Sequence, residues 1–370
     1  MKLLFLGKQV MKMALQSAIL PVVYRRYRGR PLNKRLVIFA DGHNDSMPFN
    51  MQLMYRSVRA LGFETRTFCC DFNKTPFLKK MHMICSFMKA YAQAGTVFVC
   101  DYYLPAAACR KRPETQVVQL WHACGAFKKF GYDSPEDIPS IYRYNPFRNC
   151  TLVTVSAPMC ERIYAGAMHL PESVVCATGV SRTDNYFNEG FIEECRKRFF
   201  KRYPEAAGKK ILLWAPTFRG NAGNPRTEGI ETVLELPKKL GDDWHVIIKL
   251  HPHQAKKLKV SNCDILTEEL LPVADVLMTD YSSIMFDFML MKKPVVLFAP
   301  DSKDYTKQRG FYLNYQSIPA VHVRDARELP YAVKSAVTGA VDSTMFISQY
   351  AGSCDGHATE RILRLLYSRR

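Results

Sequence analysis

Residues 274–288 read Ala274-Asp-Val-Leu-Met-Thr-Asp-Tyr-Ser-Ser-Ile-Met-Phe-Asp-Phe288. A short apolar run, Val276–Met278, passes into a polar turn of Thr279, Asp280, Tyr281, Ser282 and Ser283. Apolar residues at helical spacing follow. A buried run that is too short for a helix and opens directly into one is the strand-to-helix unit of a parallel α/β sheet. Hydroxyls and backbone amides at the start of the helix suit an anion, and Asp287 lies one turn beyond Ser283. A plain helix cap by Asp280 or Ser282 accounts for one such residue and leaves the other polar groups of the turn unexplained.

The same alternation extends in both directions. Upstream, strands are expected at Leu36–Ala40, Phe63–Cys69, Thr96–Cys100, Gln116–Leu120 and Thr151–Val155, with helical stretches over 48–61 and 76–94. A charged helical segment, 188–208, is interrupted at Pro204 and looks like a junction. The pattern then restarts, with strands expected at Lys210–Ala215, Trp244–Leu250, Asp264–Leu266, Val276–Met278 and Pro294–Ala299. Helical stretches are expected over 229–240, 268–273 and 282–292, and the tail from Asp325 is mostly helical. The sequence therefore predicts an α/β protein with two doubly wound parallel sheets facing a central cleft. Residues 36–187 form the first domain and 188–370 the second. At 370 residues the chain has room for both. In such sheets ligands lie beyond the carboxyl ends of the strands.

Three more polar constellations follow strands. Leu120-Trp-His-Ala-Cys-Gly-Ala-Phe-Lys-Lys129 places His122 just after a strand, beside the small residues Ala123, Cys124 and Gly125. Histidine is the side chain suited to take a proton at neutral pH, and small neighbours let a substrate approach the backbone. Lys128 and Lys129 are candidates to face phosphate. Trp214-Ala-Pro-Thr-Phe-Arg-Gly220 carries Arg219 into a glycine-containing loop, where a guanidinium suits bidentate grip of phosphate oxygens. Ile248-Lys-Leu-His-Pro-His253 places His251 before Pro252, which restricts the backbone to extended conformations.

Composition bounds the partners and the compartment. The chain has 52 Lys+Arg against 34 Asp+Glu, a net charge of +18, which points to an anionic partner. Nine of the basic residues and none of the acidic ones fall in the first 40 positions. The apolar run Met13–Val23 is too short to span a bilayer, and the basic Tyr-Arg-Arg-Tyr-Arg stretch after it does not resemble a signal-peptide cleavage site. Residues 1–35 are therefore expected to form a basic amphipathic helix lying on an anionic membrane surface, with Leu3, Leu6, Val10, Met13, Ala14 and Ser17 near one face. The twelve cysteines show no C-x-x-C spacing, as expected of buried thiols in a reducing compartment rather than a zinc site. Neither a P-loop, a G-x-G-x-x-G after a strand nor a nucleic-acid reader motif is present, so no nucleic-acid partner is expected.

These blocks, in this order, resemble the CDP-glycerol glycerophosphotransferase family of teichoic-acid primases and polymerases. The family's Trp-His-Gly-Thr block is matched by Trp121-His122-Ala123-Cys124, and its Lys-Lys-x-Gly by Lys128–Gly131. Gly179-Val-Ser-Arg-Thr-Asp184, Ala215–Arg219, Lys249-Leu-His251-Pro252, Thr279–Asp287, Tyr305–Tyr312 and Asp355–Ile362 supply the rest. This chain departs from the family pattern at Ala123-Cys124, Ser181 and Lys249. The resemblance implies a GT-B-like fold and transfer of glycerol phosphate from CDP-glycerol to a hydroxyl of a polyprenyl-linked saccharide or poly(glycerol phosphate) acceptor, with release of CMP. It implies His122 as the base and His251 as a second catalytic residue that, with Arg219, holds the donor pyrophosphate. Trp121, Ala123, Lys128, Arg182, Pro252, Thr279, Asp280, Ser282, Ser283 and Asp287 would contact substrate. No cofactor is required by these blocks, although Mg²⁺ would suit a pyrophosphate donor. The expected location is the cytoplasmic face of the membrane, held peripherally. CDP-ribitol as donor, a capsule or lipopolysaccharide acceptor, and a nucleotide-sugar glycosyltransferase are the alternatives.

Overall fold

A computed structural model describes residues 2–217, 219–221, 224–250, 255, 258, 263–302, 305, 309–339 and 341–368. The chain divides into two compact units. The first comprises Met1–His122, Phe130–Asp184 and Ser353–Arg370, and the second Ala123–Lys129 and Asn185–Gly352.

The first unit is built on a six-stranded, all-parallel sheet. Its strands are β1 (Asn33–Asp41), β2 (Glu64–Cys69), β3 (Ala94–Val99), β4 (Gln116–Gln119), β5 (Leu152–Thr154) and β6 (Val175–Cys176), in the order β2-β1-β3-β4-β5-β6. The continuous apolar run of β1 exists because both faces of the sheet are covered. Leu36, Ile38 and Ala40 point into one core with Tyr24, Phe87 and Tyr91. Val37 and Phe39 point the other way, onto Met51, Met54, Val58, Ile362 and Leu366. The helix Phe77–Tyr91 covers the first face with Ile84, Phe87, Met88 and Tyr91, at i, i+3, i+4 and i+7.

The second unit repeats the plan with β7 (Lys210–Trp214), a short antiparallel hairpin of β8 (Arg219–Asn221) and β9 (Asn224–Arg226), β10 (Trp244–Ile248), β11 (Val276–Thr279), β12 (Val295–Phe298) and β13 (Val321–Val323). Apart from the hairpin, these form a parallel sheet in the order β10-β7-β11-β12-β13. One face buries Leu212, Trp214, Val276, Met278 and Phe298 under the helix Ile230–Leu240. Two parallel-sheet α/β units of this kind are GT-B-like, as expected.

Four expectations change. Asp264–Leu266 is not a strand, whereas β6, β13 and the β8–β9 hairpin were not foreseen. The second unit does not run to the C-terminus: residues 353–370 return to the first unit. There the helix Ala358–Tyr367 lays Ile362 and Leu366 on the β1 core. Its N-terminus is held by Asp184, whose carboxylate accepts the Ala358 N–H at 3.0 Å and the Thr359 N–H at 2.7 Å. Residues 1–35 are not a separate arm. The helix Lys2–Ala14, a π-helical turn Leu15–Ile19 and the helix Leu20–Arg28 follow one another, and Leu20 and Tyr24 belong to the first core. The inward face is Gln9, Gln16, Leu20 and Tyr24, while Val10, Ala14 and Ser17 of the expected apolar face are exposed. Among the described residues no helix is long and apolar enough to cross a membrane.

Candidate functional site

Strands β1, β3 and β4 are neighbours in the first sheet, so the residues that leave their carboxyl ends meet. Asp41 ends β1 and is 2% exposed. Its Oδ1 accepts the N–H groups of His43 at 2.9 Å and Asn44 at 2.7 Å, and the Asn44 side-chain amide at 2.9 Å. A buried carboxylate thereby fixes the loop that carries His43. Its Oδ2 receives the Cys100 thiol at 3.7 Å. Burial first, and the Asp41 charge second, push that thiol well up, so it stays protonated as a donor.

Asp101 follows β3. Its Oδ1 accepts the Tyr102 N–H at 2.7 Å, and its Oδ2 lies 3.5 Å from Nδ1 of both His43 and His122. Buried Gln119, the last residue of β4, joins the two loops. Its side-chain amide donates to the Asp101 carbonyl at 3.1 Å, and its side-chain oxygen accepts the Trp121 N–H at 3.1 Å. Trp121 takes φ +54°, a conformation that costs a non-glycine residue energy. Packing supports it: the indole stacks on His122 at 4.5 Å and meets Phe130, Tyr102 and Phe147 at its edges and faces. The His122 side chain is 45% exposed. With Nδ1 against a carboxylate, Nε2 is the nitrogen turned away from it. That is the arrangement of an imidazole positioned to take a proton.

Of the small residues after His122, two are packed within the second unit. Cys124 is fully buried, Ala123 is half-buried, and Gly125 at φ +71° leaves its Cβ position to the Phe286 ring, 2.6 Å away. Lys128 is half-buried and bridges to Phe311 in antiparallel fashion. The Phe127 ring stacks on Phe311 at 4.9 Å, which joins residues 123–129 to the segment that carries Phe311 within the second unit.

In that unit Arg219 does not reach outward. Its Nε and Nη2 donate to Asp301 at 2.7 and 3.0 Å, and its Nη1 donates to Asp280 at 3.0 Å and to the Thr217 carbonyl. The guanidinium also lies 4.8 Å from the centres of the Tyr281 and Tyr305 rings, which stack on each other at 3.9 Å. Burial opposes the Asp301 charge, but the Arg219 hydrogen bonds outweigh it and hold that carboxyl below its usual range. Four of the five N–H donors of a guanidinium are thus committed. In this arrangement the guanidinium that the sequence assigns to phosphate is held by two carboxylates.

Thr279 and Asp280 are likewise internal. The Thr279 hydroxyl donates to the Ala215 carbonyl at 2.7 Å, and Asp280 Oδ1 accepts the N–H groups of Thr217 and Tyr281 at 2.8 and 2.6 Å. Lys249 donates to the carbonyls of Cys263 and Ile265, both at 2.6 Å, and burial pushes its ammonium down. Ser282 and Ser283 are half-exposed at the start of the helix Ile284–Leu290, on which Asp287 is 1% exposed. Arg182 is 3% exposed within the first unit, in the block closed by Gly179 and Asp184. His251 and Pro252 lie outside the described residues.

The structure therefore gathers His122 and Trp121 with Asp41, His43 and Asp101, three residues that sequence reasoning missed. It gathers Arg219 and Asp280 with Asp301, Tyr281 and Tyr305. The signal for the first three was present: each follows a strand-forming run, as His122 does. Among the described residues no group of three or more His, Cys, Asp or Glu side chains is placed to hold a metal ion.

Comparison with known proteins gives a consistent result. The model of a family described as CDP-glycerol:poly(glycerophosphate) glycerophosphotransferase matches residues 22–368. A teichoic acid ribitol-phosphate primase of Bacillus spizizenii is 33% identical over 309 residues, covering 78% of each chain. A teichoic acid glycerol-phosphate primase of Bacillus subtilis is 27% identical over 286 residues, covering 72% of this chain and 71% of its own. Of the ribitol-phosphate polymerases it matches, this chain spans only 59%, 57% and 62% of the length. The solved structure of the wall teichoic acid polymerase TagF superposes with a TM-score of 0.76 at 18% identity, covering 98% of this chain and 96% of that one.

Proposed function

Because the chain belongs to the CDP-glycerol:poly(glycerophosphate) glycerophosphotransferase family, we propose that it transfers a polyol phosphate from a CDP-polyol to a hydroxyl of a lipid-linked acceptor, releasing CMP, in teichoic acid or related polymer synthesis. The observation that carries the reading is His122, half-exposed at the end of β4 with Nδ1 facing Asp101. Nε2 takes the proton of the acceptor hydroxyl, and the resulting alkoxide attacks the β-phosphorus of the donor. CMP leaves. Phosphoryl transfer asks a protein chiefly for positioning and charge stabilisation, and a positioned base adds roughly 10²–10⁴-fold.

On the donor side, Ser282 and Ser283 are the half-exposed hydroxyls of the family block. Arg219, Thr279 and Asp280 shape the loops around them, and His251 is assigned to the pyrophosphate by resemblance alone. No resident metal enters this reading, because no block requires one; CMP release that stops in excess EDTA would overturn that part.

Glycerol is the polyol expected from the sequence. Ribitol is the second reading, favoured by 33% identity to a ribitol-phosphate primase against 27% to a glycerol-phosphate primase. CMP release measured with CDP-glycerol and CDP-ribitol across polyprenyl-linked saccharides and poly(glycerol phosphate) decides between them. Release from neither donor with any acceptor sinks the proposal.

Peripheral attachment to the cytoplasmic face of the membrane belongs to the same reading. Val10 and Val22 are 52% and 57% exposed, close in sequence to Met11, Ile19, Arg25 and Arg26. Apolar side chains among basic ones suit an anionic bilayer. Deleting residues 1–30 would remove Tyr24 from the core, so substitution is the better test. Val10→Glu with Val22→Glu is expected to release the protein from anionic vesicles in a flotation assay with its melting temperature unchanged. Undiminished binding would refute the attachment.

A further inference from the structure

His43 has no role in the transfer reading, yet it is not the free surface histidine that its 46% exposed side chain suggests. Its loop is held on both sides. Before it, the Gly42 carbonyl accepts the Phe72 N–H at 2.9 Å. A Cβ at Gly42 would lie 3.0 Å from the Phe72 ring and 3.6 Å from the Tyr103 ring, so the backbone passes close to two aromatic side chains there. After it, Asn44 is tied to Asp41 Oδ1 by its backbone and by its side chain. The N–H of His43 itself goes to the same oxygen. The other Asp41 oxygen takes the thiol of Cys100, the residue before Asp101. One buried carboxylate therefore fixes the loop of His43 and the chain beside Asp101 at once.

The side chains so placed meet at a single atom. Asp101 Oδ1 is taken by the Tyr102 N–H at 2.7 Å, whereas Oδ2 lies 3.5 Å from Nδ1 of His43 and 3.5 Å from Nδ1 of His122. Both distances are longer than a formed hydrogen bond, and catalytic contacts of this kind tighten when substrate binds. Asp101 is 24% exposed, so an Oδ2 without His43 beside it would be more open to water and freer to turn from His122. Charge also separates the two imidazoles. One carboxylate balances one added proton, so while His122 takes the acceptor proton the favourable form of His43 is the neutral ring, with Nδ1–H as a donor toward Oδ2.

We propose that His43 is a positioning residue for the transfer reaction: its Nδ1–H holds Asp101 Oδ2 in place, and Asp101 in turn holds His122 with Nε2 free for the acceptor hydroxyl. The proposal rests on the transfer reading above, in which His122 is the base, and adds a group that acts behind it. No contact between His43 and substrate is needed. The order of action runs from His43 through Asp101 to His122, so the effect of His43 disappears when the Asp101 carboxylate is absent.

The test is a double-mutant cycle on CMP release, with His43→Ala, Asp101→Ala and the two combined. His43→Ala is expected to lower kcat by about tenfold while the KM of the CDP-polyol stays constant. In the Asp101→Ala background the same substitution is expected to change kcat by less than about twofold, because residues that act in series are not additive. His43→Asn, whose side-chain amide stands in for Nδ1–H, is expected to restore kcat to within about threefold of wild type. An unchanged kcat in His43→Ala overturns the proposal and leaves the transfer reading standing. So does a loss that persists undiminished without the Asp101 carboxylate, or one that His43→Asn does not restore, in variants with wild-type thermal midpoints. If the wild type releases no CMP from any donor with any acceptor, the transfer reading falls, and nitrogen NMR spectra of isotope-labelled histidine decide the role of His43. A neutral His122 ring protonated at Nδ1 in the wild type and in His43→Asn, and no longer so in His43→Ala, sustains it. The same tautomer in His43→Ala as in the wild type overturns it.

Discussion

Both units place charged side chains just beyond their strand ends, and they hold them in opposite ways. In the first, Asp101 stands 3.5 Å from each of two histidines whose side chains are nearly half exposed. In the second, Arg219 is 14% exposed and has its hydrogen bonds to Asp280 and Asp301 at 2.7–3.0 Å, between two stacked tyrosines. Loosely paired, reachable groups can exchange a proton with a substrate. A buried ion pair with satisfied geometry is framework, because releasing either partner leaves an uncompensated charge behind. The property visible in sequence, a charged or titratable residue just after a strand, is common to both.

Crossed substitutions test this division with the largest effects. Arg219→Ala is expected to cost about 3–5 kcal/mol of stability in urea unfolding, the usual cost of breaking a buried pair from one side. His122→Ala is expected to leave stability within about 0.5 kcal/mol while lowering the rate of CMP release by roughly 10²–10⁴-fold. The division breaks if Arg219→Ala keeps its stability and loses only affinity for the CDP-polyol. Arg219 would then be the phosphate ligand that its sequence position suggests.

A smaller effect is expected at Asp101. In a buried triad, replacing the carboxylate by an amide costs roughly 10⁴-fold. Here the pair is longer and the Asp101 side chain is 24% exposed, so Asp101→Asn is expected to lower kcat by only about 10²-fold. KM for the CDP-polyol should stay constant. An unchanged kcat would show that packing on Trp121 alone sets the direction of the His122 ring.

The fold was legible where a strand was long enough to be buried on both faces, as in Leu36–Ala40, or where a short apolar run opened directly into a helix, as in Val276–Met278. The two-residue β6 and three-residue β13 carry no periodicity of their own, and pairing with β5 and β12 makes them strands. Asp264–Leu266 looked like a strand by composition, but the carbonyl of Ile265 instead accepts from Lys249. The return of residues 353–370 was hidden because it depends on Asp184 reaching the amides of Ala358 and Thr359, a contact more than 170 residues long in sequence. In the site, His122 was legible as a histidine after a strand. Asp41, His43 and Asp101 became a site only through the strand order β1-β3-β4, which places three distant loops side by side.

The smallest effect sharpens the comparison inside the second unit, where a second cation is held by backbone carbonyls rather than by hydrogen-bonded carboxylates. Lys293 donates to the carbonyls of Pro272 at 2.7 Å, Ala274 at 2.8 Å and Leu271 at 3.4 Å. Burial pushes its ammonium down to about 8, whereas the Asp301 and Asp280 charges outweigh burial at Arg219 and hold that group protonated. Between about pH 8 and 10.5 the unfolded chain binds a proton that the folded chain lacks at Lys293, so this residue makes stability rise with pH across that window. Below pH 8 both states are protonated and the contribution is flat. Buried thiols act with the opposite sign, since Cys69 and Cys109 are raised to about 12 by burial. The informative quantity is therefore the difference between wild type and Lys293→Met, followed by urea unfolding. From pH 8 to pH 9 the wild type should gain about 1 kcal/mol relative to the variant. A difference independent of pH would mean that the carbonyl cage keeps Lys293 charged, as the carboxylates do for Arg219, and the contrast between the two cations would disappear.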